Sequence, residues 1–267
     1  MGELVFVGLG LHDENDLSLR GLEEIKRAEF VFVELYTSLL RGLEIEKLEE
    51  IAGRKIVLVS RRMLEEENGA QILNAARKGK TVFLVPGDPL IATTHVDLRI
   101  GAEKADIKTH IVHGASIISA AVGLSGLQNY KFGRSVTIPF TDSDTVSETP
   151  YSVVKTNLSM GFHTLCFLDI RVEEKRYMTI KEALKMLLAV EKTRHESVVT
   201  DDTLVVGIAR AGSKNPIVKA GLLNEVLGYD FGSPPHTLIF PGKLHFMEAE
   251  ALAQLAGAPE SIRKHAK

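Results

Sequence analysis

The first 115 residues repeat one grammar: a short run of β-branched and aromatic residues, a longer segment with helical spacing, then another short run. The runs fall at residues 4–7, 30–33, 55–59, 81–85 and 107–112. They read as continuous apolar strands, not alternating ones, which predicts burial on both faces. Between them, Leu19, Leu22, Ile25 and Ala28 share one helical stripe, as do Leu43, Leu48, Ile51 and Ala52, with Gly53 placed to stop the second helix. Strand and helix in strict alternation imply a parallel sheet wrapped by helices.

After Tyr130 the pattern changes. Strands are expected at residues 135–138, 164–170, 203–209 and 237–240. Thr179 and Glu182 have capping-box spacing ahead of Ala183, Leu184, Leu187 and Leu188. A final helix ends at Gly257, with Pro259 just beyond. The polar stretch at residues 141–150 reads as a mobile surface loop. The expected fold class is therefore α/β in two domains, residues 1–115 and 116–267, with the boundary between about 113 and 130.

In a parallel sheet, ligands sit beyond the carboxyl ends of the strands. Three loops there are unusual. Gly8-Leu9-Gly10-Leu11 is either a tight turn or the start of a dinucleotide fingerprint; Asp13 occupies the third glycine position, and Glu34 stands at a strand end suited to a ribose-binding acid. Pro86-Gly87-Asp88-Pro89 stops a strand abruptly and leaves one carboxylate at the stop. Asp88 either accepts hydrogen bonds from a ligand or caps a helix beginning near Thr93 or Thr94. His113-Gly114-Ala115-Ser116 precedes a helix of small residues, with Ser116 a good N-cap and room beside the backbone for a flat ligand.

Several function classes are disfavoured. A formal charge of -3 and a pI near 6.3 differ from the pI above about 9 of a dedicated nucleic-acid domain. No run approaches the roughly 18 apolar residues needed to span a membrane, and no signal sequence opens the chain, so a cytoplasmic protein is expected. Cys166, the only cysteine, lies in an apolar run and reads as a packing residue. No phosphate loop, GxSxG elbow, HExxH or paired CxxC pattern is present. His110 and His113 have ligand-like spacing without a third ligand, and Glu65-Glu66-Glu67 reads as solvated helix surface. No metal site is expected.

Taken together, GLGL at 8–11, ELYTSLL at 34–40, PGDPLIATTH at 86–95 and HGASIISA at 113–120 resemble the signature of the diphthine synthases. So do YKFG at 130–133, FLDI at 167–170, RYMT at 176–179, TDDTLVV at 200–206, ARAGS at 209–213 and PPHTLIFPGKLHFMEAE at 234–250. That family belongs to the tetrapyrrole methylase superfamily. The resemblance implies an N-terminal parallel sheet and a C-terminal mixed sheet, with S-adenosylmethionine held in a cleft between the two domains. Carried over by position, its cofactor contacts fall on Leu11, Asp88, Ile91, Ser116, Ile117, Leu168, Ala211 and His236. The implied reaction is successive methylation of the amino group on a modified histidine of elongation factor 2, giving diphthine, S-adenosylhomocysteine and no metal requirement. Tyr36, Thr94, His95 and His113 are candidate bases, and a homodimer is expected. The rival readings are a porphyrin or corrin methylase of the same superfamily and a nicotinamide-dependent oxidoreductase.

Overall fold

The computed structural model describes residues 2–141 and 146–265. The chain divides into two compact units: Met1–Ile117 with Val172–Glu174, and Ile118–Arg171 with Lys175–Lys267.

The first unit runs β1 (Glu3–Gly8), α1 (Leu19–Arg27), β2 (Phe30–Glu34), α2 (Ile45–Ala52), β3 (Val57–Val59), α3 (Arg61–Glu65), α4 (Ala70–Lys78), β4 (Lys80–Val85), α5 (Val96–Lys104) and β5 (Lys108–Val112). Its five-stranded sheet has the order β3-β2-β4-β1-β5, and every pairing is parallel. Successive side chains point to opposite faces, so the apolar strands feed two separate cores. Leu4, Phe6, Phe32 and Phe83 pack on one face against Ile72, Ala76, Leu98 and Ala102 of α4 and α5. Val5, Val7, Val33 and Leu84 pack on the other against Ile25, Leu48 and Ala52 of α1 and α2. Covering on both faces explains the unbroken runs in β1, β2 and β4.

Two sequence expectations need correction here. The edge strands are not covered on both faces: Val57 and Leu58 of β3 are exposed, as are Lys108 and His110 of β5. Within the expected helical stripes, Ile25, Ala28, Leu48 and Ala52 are buried, but Leu19 and Ile51 are exposed because α1 and α2 present only a narrow face to the sheet. Gly53 ends α2 with φ 65° as expected.

The second unit contains α6 (Ile117–Ser125, its first residue in the other unit), β6 (Val136–Ile138), α7 (Thr149–Ser159), β7 (Thr164–Leu168), β8 (Ile170–Arg171), β9 (Arg176–Tyr177), α8 (Ile180–Arg194), β10 (Leu204–Ala209), β11 (Ile217–Leu222), α9 (Leu223–Gly228), β12 (His236–Phe240) and α10 (Phe246–Ala256). Its main sheet, β11-β10-β12-β7-β6, is mixed: β6 and β7 are parallel and the other neighbours antiparallel. Cys166 is fully buried in its core beside Ile138, Leu184 and Leu238. The capping box at Thr179 and Glu182 opens α8, and Gly257 closes α10 with φ 62°.

The strand expected at 164–170 breaks at Asp169, whose carboxylate accepts the amides of Phe140 and Ile170 at 2.8 Å each and turns the chain into a two-stranded ribbon, β8-β9. Of the loop expected at 141–150, residues 142–145 lie outside the described residues, and Thr149 and Pro150 already belong to α7.

Candidate functional site

The order of the first sheet creates a place for a ligand. β1 connects toward β2 through α1 on one face, while β4 connects to β5 through α5 on the other, so the connections leaving these adjacent strands run to opposite faces of the sheet. Ligands in open α/β sheets bind at such a switch point. The two loops are pinned together there: Gly87 donates to the Gly10 carbonyl at 2.7 Å, and Gly10 to the Gly87 carbonyl at 3.3 Å.

Glycine is required at this edge. A Cβ on Gly8 would sit 2.5 Å from the Gly87 carbonyl oxygen and 2.6 Å from Gly114 N, and one on Gly114 would sit 2.4 Å from that same oxygen. Gly87, with φ 70°, has the opposite surroundings: a Cβ would find only Ala115 O at 3.9 Å. That open space borders Asp88.

Asp88 is buried, at 8% exposure, and Oδ2 lies 2.7 Å from Nδ1 of the exposed His113. Its Oδ1 takes a long bond of 3.4 Å from Leu90 N. The helix expected near Thr93 starts only at Val96, with His95 at its N-cap, so Asp88 does not cap it. The GLGL loop is a turn: Asp16 Oδ2 accepts Leu11 N at 2.9 Å and His12 N at 2.8 Å.

Beside this edge lies a buried polar cluster that the sequence did not reveal. Glu34, fully buried at the end of β2, accepts Tyr36 N at 2.9 Å, Thr37 N at 3.1 Å and the Thr37 hydroxyl, and it meets His95 Nε2 at 3.1 Å. Its oxygens are fully engaged, so Glu34 is not a ribose-binding acid. His95 is buried too, edge-on to Phe83 and Tyr36. Thr94 is exposed, directly before it. Burial, then the carboxylates of Glu34 and Glu65, push the Tyr36 hydroxyl well above its ordinary pKa, against the opposing pull of Arg61.

Of the eight positions expected to hold the cofactor, Leu11, Asp88, Ile91, Ser116 and Ile117 belong to the first unit, on segments that follow β1, β4 and β5. Leu168, Ala211 and His236 belong to the second, where Leu168 and His236 lie at one end of paired strands and Ala211 follows two residues after β10 at that end. His236 pairs with Ala209 of β10, and its neighbour Thr237 pairs with Phe167 of β7, next to Leu168. Ala211 follows Arg210, whose guanidinium holds the carbonyls of Phe231 at 2.8 Å and Ser233 at 2.5 Å. The His236 ring lies against Phe231, and its Nδ1 accepts Ile180 N at 3.4 Å. His110, the other half of the possible metal pair, contacts Glu3 at 3.5 Å, away from His113 and its partner.

Comparison with known proteins shows the family to which the chain is similar. The family model described as tetrapyrrole (corrin/porphyrin) methylases matches residues 3–227. A diphthine synthase of Methanosarcina mazei is 51% identical over 267 residues, covering 98% of this chain and 99% of the relative. One from Methanocaldococcus jannaschii is 48% identical, covering 94% of this chain and 98% of its own length. A crystal structure of diphthine synthase superposes with a TM-score of 0.89 at 42% identity, covering 98% of this chain and 99% of that one.

Proposed function

This chain belongs to the tetrapyrrole (corrin/porphyrin) methylase family and, within it, to the diphthine synthases, and from that premise we propose how its residues carry out the reaction. It is an S-adenosylmethionine-dependent methyltransferase of diphthamide biosynthesis. The proposed acceptor is the amino group of the 3-amino-3-carboxypropyl-modified histidine of elongation factor 2, methylated successively to diphthine. The observation that carries this reading is 51% identity sustained over 98% of the chain.

The residues present suit the cofactor. The unfilled space beside Gly87 lets a ligand approach the backbone where any side chain would intrude. Next to it Asp88 offers an acceptor for an ammonium group or ribose hydroxyls. Leu11, Ile91, Ile117, Leu168 and Ala211 would supply apolar walls, and Ser116 and His236 polar contacts. When bound, S-adenosylmethionine supplies a sulfonium methyl that a neutral amine takes by in-line displacement. The chain's own contribution is orientation, worth about 7 to 11 kcal/mol when two reactants are aligned.

The amine must lose a proton before each attack. His95 is buried and engaged with Glu34, and Tyr36 is held protonated, so neither acts as the base. Solvent reaching the amine can take the proton without a dedicated side-chain base.

Among the described residues no helix is long and apolar enough to cross a membrane, and we place the enzyme in the cytoplasm with its translation-factor substrate. We also propose a homodimer, because Ile118 of α6 and Phe246, Met247 and Leu255 of α10 leave apolar surface exposed on the second unit.

Mass spectrometry decides the main point. Elongation factor 2 carrying the extended histidine should gain methyl groups on incubation with this protein and S-adenosylmethionine. No gain on that factor, with transfer to uroporphyrinogen instead, would replace the reading with its porphyrin rival.

A further inference from the structure

Tyr36 is buried at the carboxyl edge of the first unit's sheet, yet among the described residues its hydroxyl has no hydrogen-bond partner. Buried hydroxyls are normally satisfied, and leaving one bare is destabilising. The ring has little freedom to escape this position. Its backbone amide is held by Glu34, Glu34 is held by His95, and the His95 ring stands edge-on to the tyrosine ring at 6.3 Å and 87°. The Arg61 guanidinium carbon lies 5.3 Å from the ring centroid, with the arginine side chain half exposed and only a loose 3.7 Å contact to Glu65. An unpartnered O–H donor on a ring that carries a guanidinium over its face supplies the two groups, a neutral donor and a cation, that an anionic, planar acceptor calls for.

We propose that Tyr36 and Arg61 form a carboxylate-binding subsite, with Glu34 and His95 as the positioning residues that hold it ready. The assignment rests on the function proposed above. Two groups in that reaction carry the right chemistry: the carboxylate of the acceptor's 3-amino-3-carboxypropyl arm and the methionine carboxylate of the cofactor. Binding the first would hold the neighbouring amine in place, and binding the second would anchor the methyl donor.

Tyr36→Phe removes the hydroxyl alone, and Arg61→Gln removes the charge from a half-exposed side chain. Two measurements on the full chain separate the sources: steady-state methyl transfer to elongation factor 2, and calorimetric binding of S-adenosylmethionine and its decarboxylated form. If the acceptor supplies the carboxylate, both variants raise KM for the factor at least tenfold and keep cofactor affinity within twofold of wild type. If the cofactor supplies it, both variants bind S-adenosylmethionine at least tenfold more weakly, and wild type discriminates against the decarboxylated form while the variants do not. A wild type that transfers nothing to the factor defeats the proposed function, and the binding measurements still judge the subsite. Values unchanged in every measurement that the wild type supports overturn the subsite itself, whatever the Tm.

Discussion

Gly8 and Gly87 meet at the same corner of the first unit and answer to opposite demands. Gly8 has backbone against it from Gly87 and Gly114, while Gly87 faces room. Gly8→Ala should therefore act on the fold, lowering stability by about 1 to 3 kcal/mol through overpacking, seen as a drop in Tm. Gly87→Ala should cost about 1 to 2 kcal/mol from its left-handed backbone and should also block the cofactor, which calorimetry with S-adenosylhomocysteine will register. Asp88→Ala should leave the circular dichroism spectrum unchanged and weaken that ligand roughly tenfold to a hundredfold, the loss of a charged hydrogen bond of about 1.5 to 3 kcal/mol. Wild-type affinity in this variant would leave Asp88 as no more than the partner of His113. At this scale the sequence was informative where chemistry is written in the residue type, as in the proline-glycine corner at 86–89. It was silent on the Glu34–His95 contact, because 61 positions separate the partners and no local pattern links them.

At the scale of elements, the placement of α10 depends on one carboxylate. Glu248 is fully buried and receives Gln128 N at 2.9 Å, His245 N at 2.8 Å, His163 Nε2 at 2.8 Å and the Lys131 ammonium. Burial alone would raise its pKa, but the donors of His245, Lys131, Gln128 and His163 outweigh that and bring it down to about 2 from 4.5. His163 is shifted downward from 6.5, chiefly by burial, against the attraction of Glu248. Both groups bind protons more readily in the unfolded chain, so each contributes stability at neutral pH that is lost on acidification. Denaturant titrations should show stability falling first below about pH 6.5 as unfolded His163 takes up a proton, then further between pH 4.5 and 2. Glu248→Ala should lower stability by about 3 to 5 kcal/mol, the usual effect of breaking a buried pair, and flatten the lower part of that curve. Strands β1, β2 and β4 of the first unit were legible because a two-faced core demands unbroken apolar runs. β11 was not: Lys219 and Gly221 interrupt its pattern, and its pairing is set by β10 across the turn.

For the molecule as a whole, two units with separate cores imply two sets of slowly exchanging amides, in β1 and β4 of one and β10 and β12 of the other. Hydrogen exchange followed by mass spectrometry checks this, and a single protected set would argue against independent cores. Light scattering should return twice the 29.3 kDa chain mass if α6 and α10 form the proposed contact, and charged substitutions at Ile118 and Leu255 should halve it. The order of strands inside each sheet was beyond the sequence, since β4 inserts between β2 and β1 only through long-range pairing. Cys166 has a practical consequence for all these experiments. Its thiol is sealed in the second core, and burial raises its pKa, so maleimide dyes should pass the folded chain by. A cysteine introduced at an exposed position such as Thr94 would then be the sole attachment point for a fluorophore or spin label, with no prior removal of native thiols.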